Sequence, residues 1–307
     1  MGTHARASLL RATDRIGDRS HTRLEHVARS RLTGLGRWLE NSKVAEPHLY
    51  EASAIVVYEQ PLSERIRAFL RLEHLLEKAN QLARREDHWS SRATVDALID
   101  TLTLASRMDL KTELIKELER QLATLEALPA SPQLDTERLQ EVVAKIRSTL
   151  SAIKATDTVF GQALKSNELM NAVRQRSSIP AGACDFDLPA LRYWLNLAHE
   201  HRERDLNRWL NAFHLVRDGV DLSLSLVRSS ASATQEVAVG GFFQRPLDAQ
   251  QPYSLVRVLV DNELACFTEI SAGKHRFTVR FMHQARAEDR SRHTAEAVAF
   301  RLACCGL

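Results

Sequence analysis

The sequence predicts an α+β fold, an N-terminal helical domain with one early strand followed by a C-terminal antiparallel β-domain. Three observations carry that reading. Aromatic residues make up only 6% of the 307 residues while Leu and Ala are abundant, a mix that favours helices. Between about residues 62 and 228 the apolar positions recur at three- and four-residue steps. After residue 230 the period changes to two.

The elements follow in order. Residues 1–52 are Arg-rich and mix short apolar steps with turn formers, which reads as a basic, poorly ordered N-terminal extension. Ala54-Ile-Val-Val-Tyr-Glu59 is a short β-branched run ended by Pro61. It is expected to join the later sheet, because a lone strand needs a partner. Ile66, Phe69, Leu70, Leu75, Leu76 and Leu82 then form the stripe of a first helix, with Pro61 at its start. A second helix is predicted over 91–106 and a third over 109–128, the latter with Leu114, Ile115, Leu118, Leu122 and Leu125 as its apolar face. Residues 127–132 carry two prolines and break the pattern. Asp135 is placed as the N-cap of a fourth helix, with Glu137 in its first turn. Shorter helices are predicted at 163–176, 188–198 and 202–228, with Asp187 capping the middle one ahead of Pro189. Candidate strands are 235–245, 253–261, 264–270, 275–283 and 295–303. The domains read as 1–52, 53–230 and 231–307.

Bulk properties narrow the function classes. The net charge is +3, but residues 1–50 alone carry about +4, so the rest of the chain is near neutral and acts through local patches. Cys184, Cys266, Cys304 and Cys305 show no zinc-knuckle or redox spacing and read as inert thiols of a reducing compartment. No run of 18 apolar residues predicts a membrane span, and no signal-peptide core opens the chain; a cytoplasmic protein is expected. No phosphate loop, G-x-S-x-G elbow or H-E-x-x-H motif occurs, and Gly34-Leu-Gly36 is too short a signal to count. The expectation is a non-enzymatic protein without cofactor, metal or small-molecule substrate.

One constellation stands out. In Gly273-Lys-His-Arg-Phe-Thr-Val-Arg-Phe-Met282 the residues alternate. His275, Phe277, Val279 and Phe281 are expected on a core-facing side, and Lys274, Arg276, Thr278 and Arg280 on the other. Arg257, within Leu255-Val-Arg-Val-Leu259, offers a second cation expected on the same face. Such a ridge either guards a strand against aggregation or grips carboxylates, for which the planar Arg fork is well suited. A second basic set, Arg107, Lys111, Lys116 and Arg120, is interleaved with Glu113, Glu117 and Glu119, so much of it is expected to pair with itself. Nucleic acid suits the body poorly, since no aromatic platform accompanies the cations; the basic arm of residues 1–52 is the alternative nucleic-acid-binding element.

Five collinear stretches, Val57–Glu73, Lys111–Arg120, Val173-Arg-Gln-Arg-Ser-Ser-Ile-Pro-Ala-Gly-Ala-Cys-Asp-Phe-Asp-Leu-Pro189 with Trp194 after it, Gly273–Met282 and Leu302–Cys305, together resemble the ZapD family of cell division proteins. The resemblance spans roughly residues 54–305. It implies a helical domain and a β-domain, a homodimer, binding of the C-terminal tail of FtsZ, and cross-linking of FtsZ filaments at the mid-cell division ring. By matched motif it assigns the tail contact to Arg276, Arg280 and Arg107; Lys274, Arg257 and Lys111 join them from the charge pattern. Two departures stand out. Ala181-Gly-Ala-Cys184 replaces a Gly-Gly-Cys-Cys-like run of the family, and residues 1–52 have no counterpart in it.

Overall fold

In the computed structural model the described residues are 54–128, 135–157 and 159–307. The basic extension of residues 1–52 lies outside them. Among the described residues the chain divides into two compact units, one holding the early strand, the first turn of the fourth long helix up to Leu139 and everything from Val227 onward, the other holding Ser63–Leu128 and Gln140–Leu226. The α+β class is thereby realised as separate helical and β parts.

In the helical unit, α1 (Glu64–Ala83), α2 (His88–Ser106), α3 (Leu110–Glu126) and α4 (Thr136–Ala155) are the long helices. Each start is fixed by a side chain that accepts from a backbone N–H left unpaired in the first turn. Ser63 accepts from Ile66, Asp87 from Ser90, Asp109 from Thr112, and Asp135 from Arg138 at 2.9 Å. The expected stripe of α1 is buried at Ile66, Phe69 and Leu76. That of α3 is buried at Leu114, Leu118 and Leu125.

The predicted span 163–176 is two helices, α5 (Gln162–Lys165) and α6 (Glu168–Arg176), because Asn167 caps a new start by accepting from Met170 N. The span 202–228 is likewise α8 (His199–Asn211) and α9 (His214–Ser229). Between those pairs, α7 runs over Pro189–Leu195. Asp187 does not cap it: Leu188 is the N-cap residue, and the Asp187 carboxylate instead accepts from the Cys184 thiol at 3.3 Å. Arg202, 3% exposed, ties α7, α8 and the start of α2 together. It donates to Ser91 Oγ at 3.1 Å, to the carbonyls of Leu195 and Leu197, and to the carbonyl of Glu86. A buried guanidinium persists where its donors are satisfied in this way.

The β unit holds β1 (Ile55–Pro61), β2 (Thr234–Ala238), β3 (Phe242–Pro246), β4 (Leu255–Asp261), β5 (Phe267–Ala272), β6 (Arg276–His283), β7 (Arg292–His293) and β8 (Val298–Cys305). Five successive C-terminal strands in one antiparallel sheet were expected. The chain instead forms two antiparallel sheets, one ordered β1-β4-β8-β2 and the other β3-β6-β5 with β7 on β6. The early strand β1 pairs along its whole length with β4. The extra strand arises at Gly240-Gly241, both with positive φ, which turn the run 235–245 into the β2–β3 hairpin.

The inner faces meet in one core. Val256, Val258 and Val260 of β4 and Val298, Phe300 and Leu302 of β8 face Phe277, Val279 and Phe281 of β6. Phe281 and Phe300 ring centroids lie 5.1 Å apart, and Phe243 of β3 stands edge-on to Phe300 at 5.2 Å. Each buried Phe contributes roughly 2–3 kcal/mol by leaving water, so this core is what holds β6 in place and aims its outer face.

Candidate peptide-docking face

The alternation in β6 is realised where the site needs it. Phe277, Val279 and Phe281 are fully buried, whereas Arg276 and Arg280 are exposed on the opposite face with Thr278 half-buried between them. β6 is the central strand of its sheet, flanked by β3 and β5. Arg280 lies opposite Phe242 of β3 and Glu269 of β5, and Arg276 lies opposite Pro246. The two Arg residues are four positions apart, which places their Cα atoms about 13 Å apart along the strand. Neither Arg276, Arg280 nor Lys274 makes a side-chain hydrogen bond or ion pair among the described residues.

Lys274 and His275 depart from the expected pattern. β6 begins at Arg276, so both precede it in the β5–β6 turn, and both are exposed. The turn is held by backbone bonds, Gly273 N to Arg276 O at 2.9 Å and Leu247 N to His275 O at 2.8 Å. Lys274 is therefore an exposed cation in the turn before the strand, and His275 is not a core residue.

Arg257 does not share that face. It lies on β4 in the other sheet, opposite Glu59 of β1 and Ala303 of β8. Its Nε approaches Glu59 Oε1 at 2.9 Å, and its side chain is 18% exposed. Arg228 grips the same carboxylate from the end of α9, with Nε on Oε1 at 3.0 Å and Nη2 on Oε2 at 2.8 Å. Burial alone would raise the Glu59 pKa; the hydrogen bonds and charges of Arg228 and Arg257 outweigh it and hold the carboxyl below its ordinary range. Arg257 is thus a counter-ion of a buried acid.

The helix cations fall in the other unit. Arg107 is the C-cap residue of α2; its side chain is exposed and makes no contact of this kind among the described residues. Lys111 donates to the carbonyl of Thr156 just beyond α4, where the helix dipole favours a cation. Within the set, Lys116 pairs with Glu113 and Arg120 with Glu117, while Glu119 takes Lys154 of α4 instead. Arg65 of α1, which charge patterning along α3 does not reveal, closes on Glu113 at 2.7 Å and Glu117 at 2.9 Å. Of the cations singled out from the sequence, those without a side-chain partner among the described residues are Lys274, Arg276 and Arg280 in the β unit and Arg107 in the helical unit.

Among the described residues no helix is long and apolar enough to cross a membrane, and no group of three or more His, Cys, Asp or Glu side chains could hold a metal ion.

The ZapD family profile, described as a cell division protein, matches residues 70–280. The cell division protein ZapD of Methylococcus capsulatus is 40% identical over 250 residues, covering 81% of this chain and 98% of that protein. That of Nitrosomonas europaea is 36% identical over 263 residues, covering 84% and 100%. That of Coxiella burnetii is 34% identical over 251 residues, covering 81% and 97%. With a profile spanning most of the chain and relatives matched over nearly their whole length, the chain belongs to the ZapD family of cell division proteins.

Proposed function

We propose that this protein binds the C-terminal tail of FtsZ through the outer face of β6 and cross-links FtsZ filaments at the division ring. The observation that carries the proposal is the row Lys274, Arg276 and Arg280. Arg276 and Arg280 are exposed on a strand anchored by three buried aromatic and β-branched side chains, Lys274 is exposed in the turn before it, and none of the three has an ion-pair partner among the described residues. Fixed guanidinium forks suit carboxylates of an extended peptide, since no rearrangement is needed before contact. Arg107 supplies a separate cation for the same partner.

Cross-linking follows from a homodimer that presents two copies of the face. Each copy takes one tail, and binding to a polymer raises the effective concentration for the second contact, so modest single-site affinity suffices. No step in this scheme is catalytic or calls for a cofactor, and it belongs in the cytoplasm at mid-cell.

The test is a pull-down of wild-type FtsZ and of FtsZ lacking its C-terminal tail. Retention of the full-length form alone supports the proposal; equal retention of both removes it. The charge contribution is also expected to fade with salt, since the Debye length is only about 8 Å at physiological ionic strength.

A further inference from the structure

The β2–β3 hairpin carries a second feature that the cationic row does not account for. Among the described residues ten large hydrophobic side chains are exposed, and three of them sit within six positions of this hairpin: Val237 at 51%, Val239 at 78% and Phe242 at 41%. Scattered exposed apolar residues are ordinary; a run of them on one face is not. Val239 and Phe242 bridge each other across the Gly240-Gly241 turn, so they share a face, and the two-residue period puts Val237 on it as well. Ala238 and Phe243 take the opposite face and join the core.

The stripe is held outward. Gly241 accepts from Phe281 N through its carbonyl at 2.8 Å, and a Cβ on Gly241 would meet the Thr294 carbonyl oxygen at 2.5 Å. The turn is wedged against the β7–β8 connection and cannot fold over to bury its own apolar side chains. Cations flank it on both sides. Phe242 is the direct cross-strand neighbour of Arg280 on β6, with Cα atoms about 5 Å apart. On the other side, Val237 lies opposite Ala299 of β8, and two positions further along that strand the half-buried Arg301 lies opposite Gln235. Neither Arg280 nor Arg301 has a side-chain partner among the described residues.

We propose that the β2–β3 hairpin is the apolar half of the docking face and selects a peptide segment in which apolar side chains alternate with carboxylates. The apolar groups pack on Val237, Val239 and Phe242 while the carboxylates reach Arg280 and Arg301. Charge complementarity on both flanks favours such a segment over a neutral apolar one. This assignment rests on the tail-binding function proposed above and adds its selectivity: charge draws the segment in, and the hairpin decides which acidic segment stays.

The experiment is a fluorescence-anisotropy titration of a fluorescein-labelled synthetic peptide of the FtsZ C-terminal tail, at low and physiological salt. It uses the full chain, its Val239→Ser/Phe242→Ser variant and its Arg276→Glu/Arg280→Glu variant. The hairpin variant is expected to bind about tenfold more weakly with an unchanged salt dependence, as for loss of an apolar anchor. The Arg variant is expected to bind more weakly with a reduced salt dependence, the remainder coming from Arg301 and Lys274. Val239→Asp, at a side chain already in water, serves the same purpose if the double variant does not fold. Peptide affinity equal to wild type in a folded hairpin variant overturns the hairpin assignment and leaves the tail-binding function standing. Failure of the wild-type protein to bind the peptide overturns both. Unchanged peptide affinity with loss of self-association in sedimentation would make the hairpin a contact between copies of this chain, which also overturns it.

Discussion

Replacing Glu59 by Gln should cost the β unit about 3 kcal/mol. The carboxylate accepts two bonds from Arg228, at 3.0 and 2.8 Å, and meets Arg257 at 2.9 Å, with the side chains 16%, 9% and 18% exposed. Gln keeps the shape but removes the charge, leaving two guanidinium groups facing each other out of water. Breaking a buried ion pair in this manner costs about 3–5 kcal/mol; the partial exposure and the amide oxygen that Gln retains place the expected value at the low end. Urea unfolding followed by far-UV circular dichroism is the assay, because three of the four tryptophans, Trp89, Trp194 and Trp209, lie in the helical unit. Glu59 has a folded pKa below the ordinary 4.5, so its contribution is fully present above that pH and is lost as pH falls through the depressed value. The gap between wild type and variant should therefore narrow below about pH 4.5. Adding Arg257→Met to Glu59→Gln should recover part of the loss by removing one uncompensated charge. A Glu59→Gln protein within about 1 kcal/mol of wild type at neutral pH would refute the view that Arg257 serves the fold.

Three further outcomes follow from the structure. Lys111→Ala should lower stability by about 1 kcal/mol in a denaturation curve, by removing the cation on the Thr156 carbonyl at the end of α4, and leave FtsZ co-sedimentation unchanged. Gly241→Val should cost about 2–3 kcal/mol, since φ of +69° and the 2.5 Å approach to Thr294 both exclude a β-branched side chain, and a thermal melt would show it. Asp221 is pushed up to about 6, by partial desolvation of its carboxyl first and by the neighbouring Glu73 next, so the folded state binds its proton more tightly than the unfolded chain does. Stability from this group falls as pH rises from about 4 to 6. Asp221→Asn should then raise the melting temperature slightly at pH 7.5, by a small amount because the side chain is more than a third exposed.

The legibility of the site tracks the range of the interactions that make it. The β6 alternation was readable because it is local: period two needs only the residues themselves, and Phe277, Val279 and Phe281 are buried as that period requires. The cap at Asp135 was readable for the same reason. Arg257 carried the same local signal and a different role, because its acid comes from β1, the neighbouring strand in the sheet but far away in the sequence. Arg228, the second partner of that acid, is 169 residues from it in sequence. The hairpin was missed although its signal was present. Gly240-Gly241 lies between apolar residues that read as one continuous run, and only the positive φ of both glycines shows a reversal. The division of the strands into two facing sheets depends on which strands pair, β4 with both β1 and β8, and no single stretch of sequence encodes that.

The most direct test of the account is co-sedimentation of FtsZ filaments with the Arg276→Glu/Arg280→Glu variant. Both side chains are exposed, so the variant should retain the wild-type melting temperature and sedimentation coefficient. With fold and self-association intact, it should stay in the supernatant when filaments pellet. A folded variant that pellets with FtsZ as wild type does would contradict the assignment of tail binding to the outer face of β6.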